Sequence, residues 1–160
     1  MPRTAIENLP DDARTWVFGI SPALDETKQT RLLGRIDAFL DQWAAHGAPI
    51  TAARDVIEGS FLVVSVDRDA ETSGCSIDRM FGTLRQLESE LGVQILDPDR
   101  VFFRHGDGHV DSMSRAGFKA NGDAHTIVFD TIAERLGEIR SGRWERRAGE
   151  SWHRQLLATA

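Results

Sequence analysis

Ser73-Gly74-Cys75-Ser76-Ile77-Asp78 places a thiol, hydroxyls and a carboxylate side by side, and Cys75 is the single cysteine of the chain. The stretch follows the apolar run Phe61-Leu62-Val63-Val64-Ser65-Val66 and opens a segment with helical periodicity. A strand, a loop and then a helix with such a first turn can support nucleophilic or redox chemistry. The amide donors at a helix N-terminus favour the thiolate, and an adjacent imidazole would act as base. His46 follows the first predicted helix and precedes Gly47, so antiparallel helices would allow it to reach the thiol. The catalytic candidates are therefore Cys75, Ser76, Asp78 and His46. Against them stands a plainer role, in which Ser73, Cys75 or Ser76 caps the helix. A helix terminus is worth about 0.3–1 kcal/mol, under about one pKa unit, and Asp78 competes for the same amides. Cys75 needs a further cation before it is catalytic, and capping and packing is the favoured reading.

A second set, His105, His109 and Asp111, forms H-x-x-x-H-x-D around Gly106-Asp107-Gly108. Across a hairpin the two histidines would face each other, with Asp111 on the face of His109. Such a set could hold a divalent metal. Short motifs of this kind also arise by chance, so the spacing alone reads as a polar hairpin tip, and no metal or cofactor is assigned. Trp43, Trp144 and Trp152 could line a pocket. Trp43 lies on an apolar helical stripe and belongs rather to the core, and Ser151-Trp152-His153 reads as an anchor packed onto the domain.

The elements that must carry these groups follow from periodicity. Residues 1–13 are polar and are expected to lie loosely on the surface. Thr15–Ile20 is rich in β formers. A helix is predicted from about Asp25 to Ala45, with Leu32, Leu33, Ile36, Phe39, Leu40 and Trp43 on one face and Gly47 as its stop. Strands over Ile50–Ile57 and Phe61–Val66 flank Glu58-Gly59-Ser60 and should form an antiparallel hairpin. A second helix runs from about Ser76 to Leu91, closed by Gly92. Arg100–Arg104 and His109–Met113 make a further hairpin.

That order, β-α-β-β-α-β, predicts an α+β ferredoxin-like sandwich with both helices on one face of an antiparallel sheet. Phe61–Val66 and Thr15–Ile20 are expected at its centre, because they are the most apolar strands. The hairpin and a helical C-terminal extension add to it. In the extension, Ser114 to Asn121 reads as a short helix, residues 125–130 stay open between strand and helix, and Phe129, Ile132, Ala133, Leu136 and Ile139 repeat at helical spacing. The whole is one domain over 1–160, with a core over 14–113 and the extension over 114–160.

Composition narrows the function. The formal net charge is -6, which argues against sequence-independent nucleic-acid binding. No apolar run reaches the length of a membrane span, and the start carries no signal-peptide pattern. One cysteine excludes an internal disulfide framework and points to a reducing cytoplasm. Sheet edges can pair with a second copy, so a homodimer is among the partners considered.

Trp43-Ala44-Ala45-His46-Gly47-Ala48-Pro49, Gly74-Cys75-Ser76-Ile77-Asp78 and Ser151-Trp152-His153 occur here in that order. Together they resemble a family of small uncharacterised bacterial proteins whose members often carry the label ABC transporter ATPase. The resemblance spans Trp16 to His153, and it implies ATP hydrolysis only through that label. A cassette ATPase needs a G-x-x-x-x-G-K-[ST] loop to hold the phosphates. Lys28 and Lys119 are the only lysines, and neither follows a glycine loop. The sequence therefore reads as a non-catalytic binding or interaction module with a protein or small-molecule partner. A thiol-dependent enzyme using Cys75 with His46 and Asp78 is the alternative.

Overall fold

A computed structural model describes residues 3–67 and 72–157 of the chain. The described residues form a mixed α+β structure with four α-helices and antiparallel sheets. Its first sheet has the order β1-β5-β4, built from β1 (Arg14–Gly19), β4 (Ala52–Ile57) and β5 (Phe61–Val66). β4 and β5 form the predicted hairpin, closed by Glu58 and Gly59, whose φ values of 52° and 66° are those of a tight primed turn. β1 pairs with β5 along its full length, from Arg14 opposite Val66 to Gly19 opposite Phe61.

Two helices cover one face of this sheet. α1 (Glu26–Gln42) starts at Asp25, whose side chain accepts from the Lys28 amide, and it buries Leu32, Ile36 and Leu40. α2 (Gly74–Leu91) buries Met80, Leu84, Leu87 and Leu91, and ends on Gly92 in the left-handed region that glycine favours. Both stripes meet Phe18, Ile20, Leu62, Val64 and Val66 in the main core. Arg35 of α1 binds Glu90 and Gln86 of α2, and Arg54 of β4 grips Asp37 of α1 through two bonds of 2.7 and 2.8 Å.

Helix α1 is shorter than its periodicity predicts. Trp43 takes an extended conformation as its C-cap, and its indole N–H donates to the Ser76 carbonyl at 2.8 Å, in the first turn of α2. Holding that bond turns the chain out of the helix. The next residues form a small hairpin, β2 (Ala44–Ala45) with β3 (Ala48–Pro49).

The strand expected to complete the first sheet pairs elsewhere. β6 (Arg100–Arg104) belongs to a second, four-stranded sheet of order β7-β6-β8-β9. It comprises β7 (Val110–Ser114), β8 (Ile127–Phe129) and β9 (Glu145–Arg147). β1 is consequently an edge strand and not a central one. Its outer edge is pinned at one end by the Thr15 amide donating to the Glu134 carbonyl, and at the other by Ser21 and Gln94, which bond each other.

The second sheet packs on the face of the first that the helices leave open. Val17, Phe61 and Val63 meet Phe102, Phe129, Ala133 and Trp144 there. The far side of the second sheet is covered in turn by α3 (Arg115–Asn121) and the 3-10 turn Trp152–Leu156, through Phe118, Val101, Phe103, Val128 and Leu156. Ser114 caps α3 as predicted, accepting from the Gly117 amide.

Three expectations for the flanks change. Leu9 and Ala13 are buried with Ala53 and Leu136, so the N-terminal segment is fixed against the sheet; Met1 and Pro2 lie outside the described residues. Phe129 is in a strand, and the helix proposed through Ile139 is reduced to α4 (Leu136–Arg140). Ile132 is 63% exposed, which a continuous apolar helical stripe would not allow. Among the described residues, no helix is long and apolar enough to cross a membrane.

Gly19 tests the contact between the layers. A Cβ there would lie 2.2 Å from the Phe102 ring, and that ring is locked among Phe61 and its aromatic neighbours. Gly19→Ala is expected to lose about 1–3 kcal/mol, the usual cost of overpacking, as a lower urea midpoint. An unchanged midpoint would show that the two sheets are not pressed together at this position.

Candidate functional site

The first turn of α2 is built as a cap. The Ser73 hydroxyl accepts from the Ser76 amide at 3.1 Å, while the Ser73 amide donates to the Ser76 hydroxyl at 2.8 Å. The same hydroxyl of Ser76 donates to the Ser73 carbonyl, and its residue is 1% exposed. This reciprocal arrangement satisfies donors that would otherwise be free for an anion. Ser76 is thereby committed to the backbone, and its carbonyl to Trp43.

Cys75 is exposed one position earlier, and Asp78 is exposed one turn on. His46 is not at a helix end. It sits with Gly47 at the tip of the β2–β3 hairpin, exposed, with φ of 53°. The ends of α1 and α2 do meet, as antiparallel packing requires, but the residue at the junction is Trp43. Among the described residues, no hydrogen bond or ion pair joins Cys75, Asp78 and His46.

The β6–β7 hairpin brings its polar groups together. Arg104 pairs with Val110 and Phe103 with Asp111, so His105, His109 and Asp111 fall on one face. The imidazoles of His105 and His109 stack with centroids 4.2 Å apart, and His105 meets the Phe103 ring edge-on at 4.7 Å. His105 Nε2–H donates to Asp111 Oδ2 at 2.9 Å. Asp107, which spacing did not single out, accepts from His109 through both its backbone amide at 3.0 Å and its Nδ1–H at 2.5 Å. The signal was present as Asp-x-His, because an aspartate at a turn bonds the backbone two residues on. The His105 bond holds the Asp111 carboxyl below its usual range, and the backbone amide of His109, then its ring, do the same for Asp107.

This tip borders an open groove of about 580 Å³. His105, Met113, Asn121, His125 and Ile127 contribute to its walls. The Asp123 carboxylate shapes the far wall by accepting from the amides of His125 and Thr126.

Arg104 fixes the near end of the groove. Its guanidinium binds both oxygens of Glu58 at 2.9 and 2.8 Å, Glu145 at 2.5 Å and the Gly108 carbonyl at 2.6 Å. It also lies 5.3 Å from the Phe129 ring centroid. One side chain thus ties the turn of the first sheet to the second sheet and to the hairpin tip. The Arg104 hydrogen bonds hold the Glu58 carboxyl below its usual range.

The C-terminal anchor behaves as predicted. Trp152 donates from its indole to Asp130 at 3.1 Å and stacks on His153 at 4.0 Å. The Ser151 hydroxyl lies 2.7 Å from His153 Nδ1, and His153 is 2% exposed. Burial lowers the His153 pKa to about 4, with Arg115 and Arg146 adding to the effect and Asp130 opposing it.

Comparison with family models, with curated proteins and with solved structures finds no match to this chain.

His153 gives a pH prediction. The folded state keeps the ring neutral, whereas the unfolded chain takes up a proton near pH 6.5. The unfolded state therefore binds more protons between about pH 6.5 and 4, and stability falls as pH is lowered through that window. Loss from carboxylates such as Glu58 sets in below their ordinary value of 4.5 and is separable. Urea unfolding should show a midpoint that declines between pH 6.5 and 4 and flattens in His153→Gln; equal slopes in both chains would place the proton elsewhere.

Proposed function

We propose that this chain acts by binding, not by covalent catalysis, and that the groove beside the β6–β7 hairpin is its binding face. The observation that carries this reading is the distribution of polar groups. Imidazole, thioether and amide side chains line the groove together, while His46, the base nominated for Cys75, sits at the tip of the β2–β3 hairpin and is bonded to neither Cys75 nor Asp78 in the first turn of α2. The volume suits a small molecule or the end of a peptide. On this reading the first sheet with α1 and α2 is a split βαβ unit of the ferredoxin-like kind, whose fourth strand has moved into the second sheet. The family resemblance is kept without its label, because the chain has no phosphate-binding lysine loop.

An exposed single thiol fits a reducing, cytoplasmic setting. The net charge of -6 makes nucleic acid a poor partner. For a homodimer, β1 is pinned at both ends and β4 is bridged by the Thr4 amide on the Ala52 carbonyl. A second copy would therefore pair through β7 or β9.

One observation favours the second reading, a thiol-dependent enzyme: Cys75 is exposed in the first turn of an 18-residue helix. Two experiments separate the readings. In amide NMR spectra, fragments from a small-molecule library should shift residues 103–106 and 121–127, and Asn121→Trp, which fills the groove mouth, should abolish the shifts. Perturbations centred on Gly74–Asp78 would instead favour the thiol. Alkylation of Cys75 by iodoacetamide should have the same pH profile in the native chain and in His46→Ala. An upward displacement in the variant would reveal an activated pair and replace the binding reading.

A further inference from the structure

The hairpin tip holds more than its spacing promises. His105, His109 and Asp111 each present a ligand atom, and these atoms all lie within 4.8 Å of one another. We propose that this tip is a site for a divalent transition ion of the zinc class, with His105, His109 and Asp111 as ligands and Asp107 as the residue that orients His109. The site shares His105 with the groove wall, but its ligand set does not rest on what the groove binds.

Three features of the geometry support it. The first is the tautomer of His109. Its Nδ1–H is committed to Asp107, which leaves the Nε2 lone pair directed away from that carboxylate. A carboxylate on the distal nitrogen is the usual support of a metal-bound imidazole, and it raises the basicity of the ligating nitrogen. The second is the pairing of His105 with Asp111 at 2.9 Å. An imidazole nitrogen and a carboxylate oxygen at this separation are already close to the spacing of neighbouring ligands. With bonds of about 2.0–2.1 Å, adjacent ligand atoms around zinc stand roughly 3.0–3.4 Å apart. The third is the backbone. The tip is closed by the His105 amide on the His109 carbonyl and the Gly108 amide on the His105 carbonyl, both at 2.9 Å. Only side-chain rotation is then needed to bring the ligand atoms from 4.8 Å into coordination. His109 and Asp111 are exposed and His105 is half-buried, so the rotation meets little resistance.

Two imidazoles and one carboxylate form a borderline donor set that suits zinc, nickel or copper and not magnesium or calcium. Binding replaces the proton that His105 Nε2 shares with Asp111, and that proton leaves to water. With three protein ligands on a solvent-facing hairpin, at least one coordination position stays open for water or for a donor atom from the groove. This departs from the reading of the spacing alone, which assigns no metal. Spacing could not show that Asp107 sets the tautomer or that the two rings stack.

The test is titration of the metal-free full chain with Zn²⁺ against a chromophoric chelator, with side-chain imidazole NMR spectra recorded alongside. The native chain should bind one equivalent, with resonances of His105 and His109 shifting and those of His46 and His153 unmoved. His109→Ala should lower the affinity at least tenfold, and Asp107→Asn by about tenfold, the lower end for loss of an orienting partner. Cys75→Ser should bind as the native chain does, which excludes the thiol as the ligand. Far-UV circular dichroism of each variant checks that the hairpin change leaves the fold intact. Absence of a bound equivalent, or undiminished binding by His109→Ala, would overturn the site. Undiminished binding by Asp107→Asn would overturn the orienting role.

Discussion

Every residue of β5 is buried, from Phe61 to Val66, and the architecture follows from covering both of its faces. Leu62, Val64 and Val66 point into the helical layer. Phe61 and Val63 point the other way and need a second apolar layer. That layer is the second sheet, which meets Phe61 with Phe102, Phe129 and Trp144 at centroid distances of 4.8 to 5.2 Å. Aromatic groups at such tilted and edge-on contacts contribute beyond the area they bury. Ser65, the one polar residue of the strand, is satisfied by the Thr15 hydroxyl at 2.8 Å.

The second sheet inherits the same problem, since its own far face is apolar. Phe118 of α3 and the C-terminal turn cover it, and the buried His153 is part of that cover. The β6–β7 hairpin extends past the covered region, so its tip meets water and can carry stacked imidazoles and carboxylates. Arg104 stands where the two sheets meet at this end. Its bonds to Glu58 and Glu145 seal the aromatic interface and hold the tip at the same time. The candidate site is thus placed by the interface between the layers.

Much of this was legible in the sequence. Local signals worked where local physics decides: the Glu58-Gly59 turn, Ser114 as a cap, Gly92 as a stop, and the pairing of β6 with β7. The near-continuous run Phe61–Val66 also carried the information that both faces are buried, because a strand with one solvated face alternates. Taking it only as the centre of a single sheet led to the ferredoxin-like expectation and to a central place for β1. The end of α1 was misjudged because Trp43 bonds Ser76, a contact between residues far apart in sequence. The same contact places Trp43 at the junction where His46 was expected. The facing of His105 and His109 was readable from hairpin alternation, while the part played by Asp107 depends on a turn conformation that spacing does not fix.

The central claim is that the two sheets form one cooperative unit clamped around β5. Native-state hydrogen exchange in increasing denaturant measures it most directly, since each amide reports the free energy of the opening that exposes it. Amides of β5 and those of Val101, Phe103 and Val128 in the second sheet should converge on one common isotherm, the global one. A separate, lower-energy opening of β6 and β8 that leaves β5 protected would contradict it, because β5 would then be stable without its second cover.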